Sequence, residues 1–191
     1  MPTIIGSVKN QLTLGCNLYL LRNRGFITCW KMEVTFRHIE KKDNKEIADL
    51  IRTVFREFKI DRPGTVYFDP TTDDLYTLFQ TSGSIYWIAE DDNKIIGGCG
   101  IFPTQNLPEG CGELVKLYLH SSYRKLGIGR QLLEMSIESA KNLGYKQLYL
   151  ESLPELGKAI SLYEKDGFRF INRKMGDSGH FGCNIWMMKD L

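Results

Sequence analysis

The chain has 191 residues, of which 42% are hydrophobic, and its formal net charge is +2. This size and composition are typical of one globular domain, and the small net charge gives no indication of a nucleic-acid or membrane-surface partner. No stretch approaches the roughly 20 consecutive apolar residues that a membrane-spanning helix needs.

The cysteines indicate the redox environment of the chain. All five are widely spread, with no CxxC pair and no grouping with histidine at the spacing of a zinc site. We therefore expect no metal, reduced thiols and a cytoplasmic location. The five residues are Cys16, Cys29, Cys99, Cys111 and Cys183.

The N-terminal part differs in character from the rest of the chain. A second methionine, Met32, opens the alternating stretch MEVTFRHIE, whereas residues 1–31 show no comparable pattern. We expect residues 1–31 to be an arm, or an extension from an early start codon. The compact domain is then expected to cover residues 32–191.

The first half of this domain predicts a strand, two helices and a hairpin. Apolar residues alternate in the first strand and recur at helical spacing after Asp43, which has the side chain of an N-cap. Asp92 and Asn93 separate two apolar runs and predict a hairpin turn. The predicted elements are a strand over 34–39, a helix from Asp43 to the DRPG break at 61–64, a short helix over 73–80, and strands over 84–91 and 94–102.

The second half alternates between strands and helices. Its predicted elements are strands over 111–119, 146–152, 168–172 and 183–189, and helices over 128–143 and 156–167. Gly144 and Gly167 are expected to end the two helices. The mixed order of elements predicts an α/β (α+β) fold, with a twisted, mostly antiparallel sheet of about seven strands flanked by about four helices.

The stretch YRKLGIGRQLL, from Tyr123 to Leu133, lies between a predicted strand and a predicted helix. Gly127 and Gly129 permit a positive φ and a close approach of the backbone to a ligand. Because the next helix directs unpaired N–H groups at this turn, the turn is suited to a pyrophosphate. The alternative is a tight turn with a solvated basic face, and the pattern matches neither a Walker loop nor a dinucleotide fingerprint.

Two motifs resemble a known family. The run from Arg124 to Gly129 matches the Arg/Gln-x-x-Gly-x-Gly/Ala signature of the GNAT superfamily of acetyl-CoA-dependent N-acetyltransferases, and it stands between a strand and a helix as that family requires. AISLYEKDGFRF, from Ala159 to Phe170, resembles the second signature of the family. The resemblance covers about residues 34–191, and the GHFGC-type ending is similar to one bacterial branch with poorly defined substrates.

The resemblance implies a cofactor site for coenzyme A. The strand before the turn would serve as a backbone ladder for the pantetheine arm, and the turn would hold the pyrophosphate, mainly through main-chain N–H groups. Leu156 departs from the family pattern, which often has asparagine at this position. The implied cofactor residues are Leu117, Tyr118, Leu119, Arg124, Lys125, Leu126, Gly127, Ile128, Gly129 and Arg130.

Glu113 and Tyr163 are the candidate catalytic residues. An amine attacks a thioester only when it is unprotonated, and the departing thiolate is best protonated as it leaves. Several members of the family have a carboxylate at the position of Glu113 that acts through a water. The two-residue period of a strand puts Glu113 on one face with Val115, Leu117 and Leu119, and such apolar neighbours would raise its pKa. A solvent-exposed or ion-paired carboxylate is the alternative.

Tyr163 is the predicted acid, because the family has its thiolate-facing tyrosine at this position of the second signature. A buried structural tyrosine is the alternative. His180, in the loop of residues 176–182, is a candidate for orienting the carboxylate of a substrate or for acting as another base, and a structural loop histidine is its alternative.

The resemblance implies acetyl transfer from acetyl-CoA to a primary amine of a small, amino-acid-like metabolite. Two other functions stay open: acetylation of a protein N-terminus or lysine, and binding of coenzyme A without catalysis. No nucleic acid or membrane partner is expected, and the protein is expected to be a monomer or a homodimer.

Overall fold

In the computed structural model, the described residues are 12–13, 17–23 and 26–191, and side chains are described from Met32 onward. The predicted arm of residues 1–31 lies outside the described side chains. The boundary between arm and domain therefore stays a prediction.

The described residues form ten strands and four α-helices. The strands are β1 (Leu12–Thr13), β2 (Asn17–Asn23), β3 (Phe26–Met32), β4 (Val34–His38), β5 (Ile85–Asp91), β6 (Lys94–Phe102), β7 (Cys111–Leu119), β8 (Gln147–Ser152), β9 (Arg169–Phe170) and β10 (Ile185–Asp190). The helices are α1 (Asn44–Glu57), α2 (Leu75–Leu78), α3 (Ile128–Asn142) and α4 (Gly157–Lys165).

The main sheet has the strand order β1-β4-β5-β6-β7-β8-β10-β9, and β2 pairs with β3 separately. Every neighbouring pair in the main sheet is antiparallel except β7 and β8. Seven of these strands, β4 to β10, lie in the predicted domain. The predicted class, a mixed and mostly antiparallel sheet flanked by four helices, is confirmed.

Two hydrophobic clusters cover the two faces of the sheet. On one face, α3 packs against the sheet through Ile128, Leu132 and Leu133, all of which are buried. On the other face, α1 contributes Ile51 and Phe55 to a second cluster. The apolar residues that recur at helical spacing in α1 and in α3 therefore face the sheet, as an amphipathic helix requires.

The predicted element bounds agree closely where the sequence pattern is regular. Strands β6 and β7 have the predicted ends, and Asp92 and Asn93 both have positive φ, as a type I′ hairpin turn requires. Asp43 precedes α1, but its side chain does not cap this helix. Instead, Asp43 accepts hydrogen bonds from the Glu40 N–H and from Arg37.

A bulge interrupts β7 at Lys116, whose φ is 52°. The register with β6 shifts there, so that Val115 lies opposite Gly100 and Tyr118 lies opposite Gly98. The extra residue reverses the alternation of side chains beyond the bulge. Glu113 and Val115 therefore share a face with Tyr118, and the prediction that Leu117 and Leu119 lie on this face is wrong.

Gly98 and Gly100 of β6 make room for the Tyr86 side chain, which stabilises the bulge through a hydrogen bond. A Cβ on Gly98 or Gly100 would lie 2.6 Å from ring atoms of Tyr86, which is closer than carbon atoms approach. The Tyr86 ring thus lies across both glycines, and its hydroxyl donates to the carbonyl of Lys116 at 3.0 Å. This buried hydrogen bond anchors the bulge from the neighbouring strands.

Cys99, Cys111 and Cys183 are free thiols, and Cys16 and Cys29 lie outside the described side chains. Within the described residues, no helix combines the length and hydrophobicity that crossing a membrane requires.

Candidate active site

A cleft opens where β7 and β8 separate. Their parallel pairing covers only Cys111 to Glu113 on β7 and Gln147 to Tyr149 on β8. Beyond this point the bulge at Lys116 turns β7 away, and the two strands diverge. The cleft has a volume of about 610 Å³ and is lined by residues of β7, β8, α3 and α4.

The glycine turn closes one end of this cleft. Lys125 and Gly127 have φ of 66° and 85°, and α3 begins at Ile128. No backbone N–H of residues 125–130 donates to another described residue. These free N–H groups and the positive end of α3 form a site suited to a phosphate.

Space is available beside this turn. A Cβ on Gly127 would meet nothing within 4 Å, and one on Gly129 would meet only Leu119 Cδ2 at 3.9 Å. The positive φ requires glycine at position 127, whereas position 129 is open to the cleft. An approaching anion can therefore reach the free N–H groups directly.

The cationic side chains of the turn are mostly engaged with protein groups. The two terminal nitrogens of Arg124 donate to the Glu57 carboxylate at 2.5 and 2.7 Å, and its Nε donates to the Leu119 carbonyl at 3.0 Å. Arg130 donates to Glu134 at 2.7 Å on the surface. All three nitrogens of Arg124 are thus engaged, whereas the main-chain N–H groups, the Lys125 ammonium and the terminal nitrogens of Arg130 have no acceptor among the described residues.

Glu113 lies at the bottom of the cleft, where the two strands separate. It is 3% exposed, and Thr104 Oγ1 donates a short hydrogen bond to Glu113 Oε2. Burial raises the pKa of Glu113 to about 7, and the nearby Glu151 carboxylate adds to the effect. Such a carboxyl group can accept a proton near neutral pH.

Tyr163 lines the same cleft from α4. Its side chain is buried, its ring packs against Phe168, and its hydroxyl forms no hydrogen bond with another described residue. Burial holds the pKa of this phenol above its usual range, so it keeps its proton and is able to donate it. Leu156, the departure from the family pattern, also lines the cleft.

Lys116, Asp69 and His180 form a polar group near Glu113, of which Lys116 is buried and the other two are partly buried. Lys116 Nζ donates to Asp69 Oδ2 at 3.0 Å, and His180 Nε2 lies 3.0 Å from the same oxygen. Burial lowers the pKa of Lys116, against the effect of Asp69. Burial opposes ionisation of Asp69, but the contacts with His180 and Lys116 hold its pKa well below its usual range.

A second cavity of about 250 Å³ adjoins the cleft. Glu113, Val115, Lys116 and His180 line both spaces, and Asp69, Thr104 and Asp177 line the second alone. Glu113 thus lies at the boundary that the two spaces share. Two ligands entering from the two spaces would meet at this carboxyl group.

Sequence reasoning missed Asp69, Lys116 and Thr104. For Lys116 the sequence does carry a signal, because a lysine within the apolar run CGELVKLYL is expected to be buried and a buried lysine needs a partner. Asp69 and His180 carried no mutual signal, since 111 positions separate them. His180, by contrast, was predicted at the acceptor side and lines the second cavity.

Comparisons with known proteins agree with this geometry. Residues 45–168 match the model of the acetyltransferase (GNAT) family. The chain is 35% identical over 156 residues to the uncharacterized N-acetyltransferase YjgM of Escherichia coli, covering 81% of this chain and 93% of that protein.

Solved structures share the fold. A GNAT-family acetyltransferase of Staphylococcus aureus superposes with a TM-score of 0.74 at 22% identity, covering 82% of this chain and 98% of that one. The PaiA N-acetyltransferase of Thermoplasma acidophilum, solved in complex with coenzyme A, gives 0.65 at 18% identity, covering 83% and 99%. With its glycine turn, its diverging strands and the matched family model, this chain belongs to the GNAT family of acetyltransferases.

Proposed function

We propose that the protein transfers the acetyl group of acetyl-CoA to a primary amine of a small, amino-acid-like metabolite. The observation that carries this proposal is the cleft itself. One continuous space connects the free N–H groups after Lys125 with Tyr163 and with the buried Glu113, whose pKa lies near neutrality.

Coenzyme A fits the residues present in the cleft. The N–H groups of residues 125–130 would bind its diphosphate, and β7 beyond the bulge, at Leu117 and Tyr118, would follow the pantetheine arm. Leu119 contributes less, because its carbonyl already accepts from Arg124. Bound in this way, acetyl-CoA supplies an activated thioester at the separation of β7 and β8. The structure of PaiA with coenzyme A supports this assignment through the shared fold.

Glu113 is the proposed general base and Tyr163 the proposed general acid. Glu113 would take the proton of the attacking amine through a water, since its pKa of about 7 matches that task. Tyr163 would protonate the departing sulfur. Backbone and side-chain donors at the cleft would stabilise the oxyanion of the intermediate.

Direct attack by the amine is favoured over an acetyl-cysteine intermediate. Cys183 lines the cleft, but burial raises the pKa of its thiol to about 12. A thiol nucleophile needs to be deprotonated, and Cys183 stays protonated at neutral pH. The amine itself is therefore the proposed nucleophile.

The second cavity is the proposed acceptor site. Its volume of about 250 Å³ suits a small molecule better than a protein segment. It presents cationic Lys116, titratable His180 and anionic Asp177 beside Glu113, as a substrate with both an amine and a carboxylate requires. His180 would orient the carboxylate of that acceptor.

Release of free thiol from acetyl-CoA across an amine panel tests this function. We expect turnover with amino-acid-like amines, a loss of at least about 100-fold in kcat for Glu113→Gln, and a similar loss for Tyr163→Phe. Glu138→Gln, at an exposed position of α3, is the matched control and should retain activity.

Calorimetric titration with coenzyme A completes the test. Wild type, Glu113→Gln and Tyr163→Phe should all bind it, because neither substitution touches the glycine turn. Binding without turnover for any amine would favour a module that binds coenzyme A without catalysis. No binding at millimolar coenzyme A would contradict the proposed function altogether.

A further inference from the structure

A second buried carboxylate faces the cleft beside Glu113. Glu113 pairs directly with Tyr149 of the parallel strand β8, and Glu151 lies two residues further along β8. Residues two apart on a strand share a face of the sheet. Glu151 therefore lies on the same face as Tyr149, next to Glu113, and its side chain is only 1% exposed.

The partners of Glu151 leave its charge incompletely compensated. Tyr149 Oη donates to Glu151 Oε1 and Ser178 Oγ donates to Glu151 Oε2, each at 2.9 Å. Both donors are neutral hydroxyl groups. The cation closest to it among its recorded contacts, Lys174 Nζ, lies 3.8 Å away, beyond hydrogen-bond distance.

We propose that Glu151 is a positioning residue for the acetyl transfer, whose buried negative charge increases the proton affinity of Glu113. This inference rests on the proposed function, in which Glu113 is the base. A carboxylate that is desolvated and placed beside a like charge binds a proton more tightly. Without Glu151, Glu113 would be a weaker base at neutral pH.

The shifted titration of Glu113 agrees with this geometry. Burial is the largest cause of its raised pKa, the hydrogen bond from Thr104 opposes it, and the charge of Glu151 raises it further. Lys116 and Lys174 act in the opposite direction. The charged and titratable groups that face Glu113 from the surrounding elements are Asp69, Cys111, Lys116, Tyr149, Glu151, Lys174, Asp177, His180 and Cys183.

Glu151 also holds the loop that carries His180. Ser178 Oγ, which donates to Glu151, accepts from the backbone N–H of His180 at 3.1 Å. A substitution at Glu151 therefore changes a charge and a loop contact together. The experiment has to separate these two effects.

NMR titration of protein labelled with ¹³C at the glutamate side-chain carboxyl measures the proton affinity of Glu113 without any acceptor. The signal that disappears in Glu113→Gln assigns this group. In Glu151→Gln, the midpoint of Glu113 should fall from about 7 by about one pH unit, the scale of effect of a nearby charge. Ser178→Ala removes the loop contact but keeps the charge, and should leave the midpoint unchanged.

The outcomes separate this inference from the proposed function. An unchanged midpoint in Glu151→Gln, or an equal fall in Ser178→Ala, would overturn the role of the Glu151 charge. Full turnover by Glu113→Gln would instead overturn Glu113 as the base, whatever the midpoint. For any amine that wild type acetylates, the acidic limb of kcat/KM against pH should move to lower pH in Glu151→Gln alone.

A second substitution covers the case in which Glu151→Gln does not fold. Lys174 is partly exposed and lies near the Glu151 carboxylate. Lys174→Met removes a cation that lowers the pKa of Glu113 directly and also offsets the charge of Glu151, so the midpoint of Glu113 should rise. A midpoint that stays constant or falls would contradict the proposal.

Discussion

At the scale of single residues, the most unusual feature is the buried lysine in β7. The Lys116 side chain is 3% exposed, and Asp69 supplies its only counter-charge at hydrogen-bond distance among the described residues. Removing one partner of a buried ion pair leaves an uncompensated charge, which costs far more than losing a surface pair. Asp69 is therefore expected to matter for stability as well as for the site.

We expect Asp69→Asn to lower the free energy of unfolding by about 3–5 kcal/mol at pH 7, measured by urea denaturation. Asp73→Asn is the matched control: Asp73 pairs with Arg52 at 2.6 Å but is 63% exposed, so its loss should cost less than about 1 kcal/mol. Equal effects of the two substitutions would contradict the importance of burial.

The pH dependence of this difference is fixed by Lys116. Without Asp69, burial lowers the pKa of Lys116 in the folded state further below its unfolded value of 10.5. The unfolded chain then binds more protons than the folded one, so the stability of Asp69→Asn rises with pH. The difference in the free energy of unfolding between Asp69→Asn and wild type should decrease from pH 7 to pH 9.5. A difference that stays constant would exclude Lys116 as the cause.

At the scale of elements, we expect the start of α3 to determine the affinity for coenzyme A. Position 129 opens on the cleft and leaves the neighbouring N–H groups accessible. Gly129→Val should keep the fold, because the added Cβ meets little protein and valine is not a worse helix former than glycine.

We expect Gly129→Val to weaken coenzyme A binding at least about tenfold, since the branched side chain stands before the N–H groups and displaces the diphosphate. Calorimetric titration measures the affinity. The control Glu138→Val introduces valine at an exposed position of α3 and should bind coenzyme A with the affinity of the wild type. Equal affinity of Gly129→Val and wild type would place the diphosphate elsewhere.

The same scale shows why the sequence predicts some elements and not others. The turn residues Asp92 and Asn93 before KIIGGCGIF and the glycines after α3 and α4 act through local preferences, so their elements were predicted closely. The bulge at Lys116 has no such signal, because LVKLY reads as one uninterrupted strand. The missed reversal of faces beyond Lys116 follows from this single residue.

At the scale of the whole molecule, the site is assembled from distant parts of the chain. Asp69 follows the long connection after α1, Lys116 lies in β7, and His180 precedes β10. Only the folded sheet brings these side chains together, which is why the motifs point to the glycine turn and to Glu113 but carry no signal for the group around Lys116. The glycine turn is encoded in one contiguous stretch, whereas the group around Lys116 is not.

Binding in the cleft is expected to stabilise the whole fold. The sheet is paired over only three residues of β7 at its parallel junction, and a ligand in the cleft contacts elements on both sides. Coenzyme A at 100 times its Kd should add about 2.7 kcal/mol. For a domain of this size we expect Tm to rise by about 5–10 °C in a thermal unfolding scan. Pantetheine, which lacks the diphosphate, should raise Tm less than coenzyme A at the same concentration. Equal increases in Tm would contradict binding of the diphosphate by the glycine turn.

The tyrosine that crosses β6 limits how this chain can change over time. An alanine at position 98 or 100 would push the Tyr86 ring aside and detach its hydroxyl from the Lys116 carbonyl. Three positions on two strands are thus linked through one aromatic ring. Descendants of this chain are expected to keep Tyr86, Gly98 and Gly100 together or to lose them together. The presence of all three residues should therefore mark relatives that retain the bulge in β7 and the separation of β7 from β8.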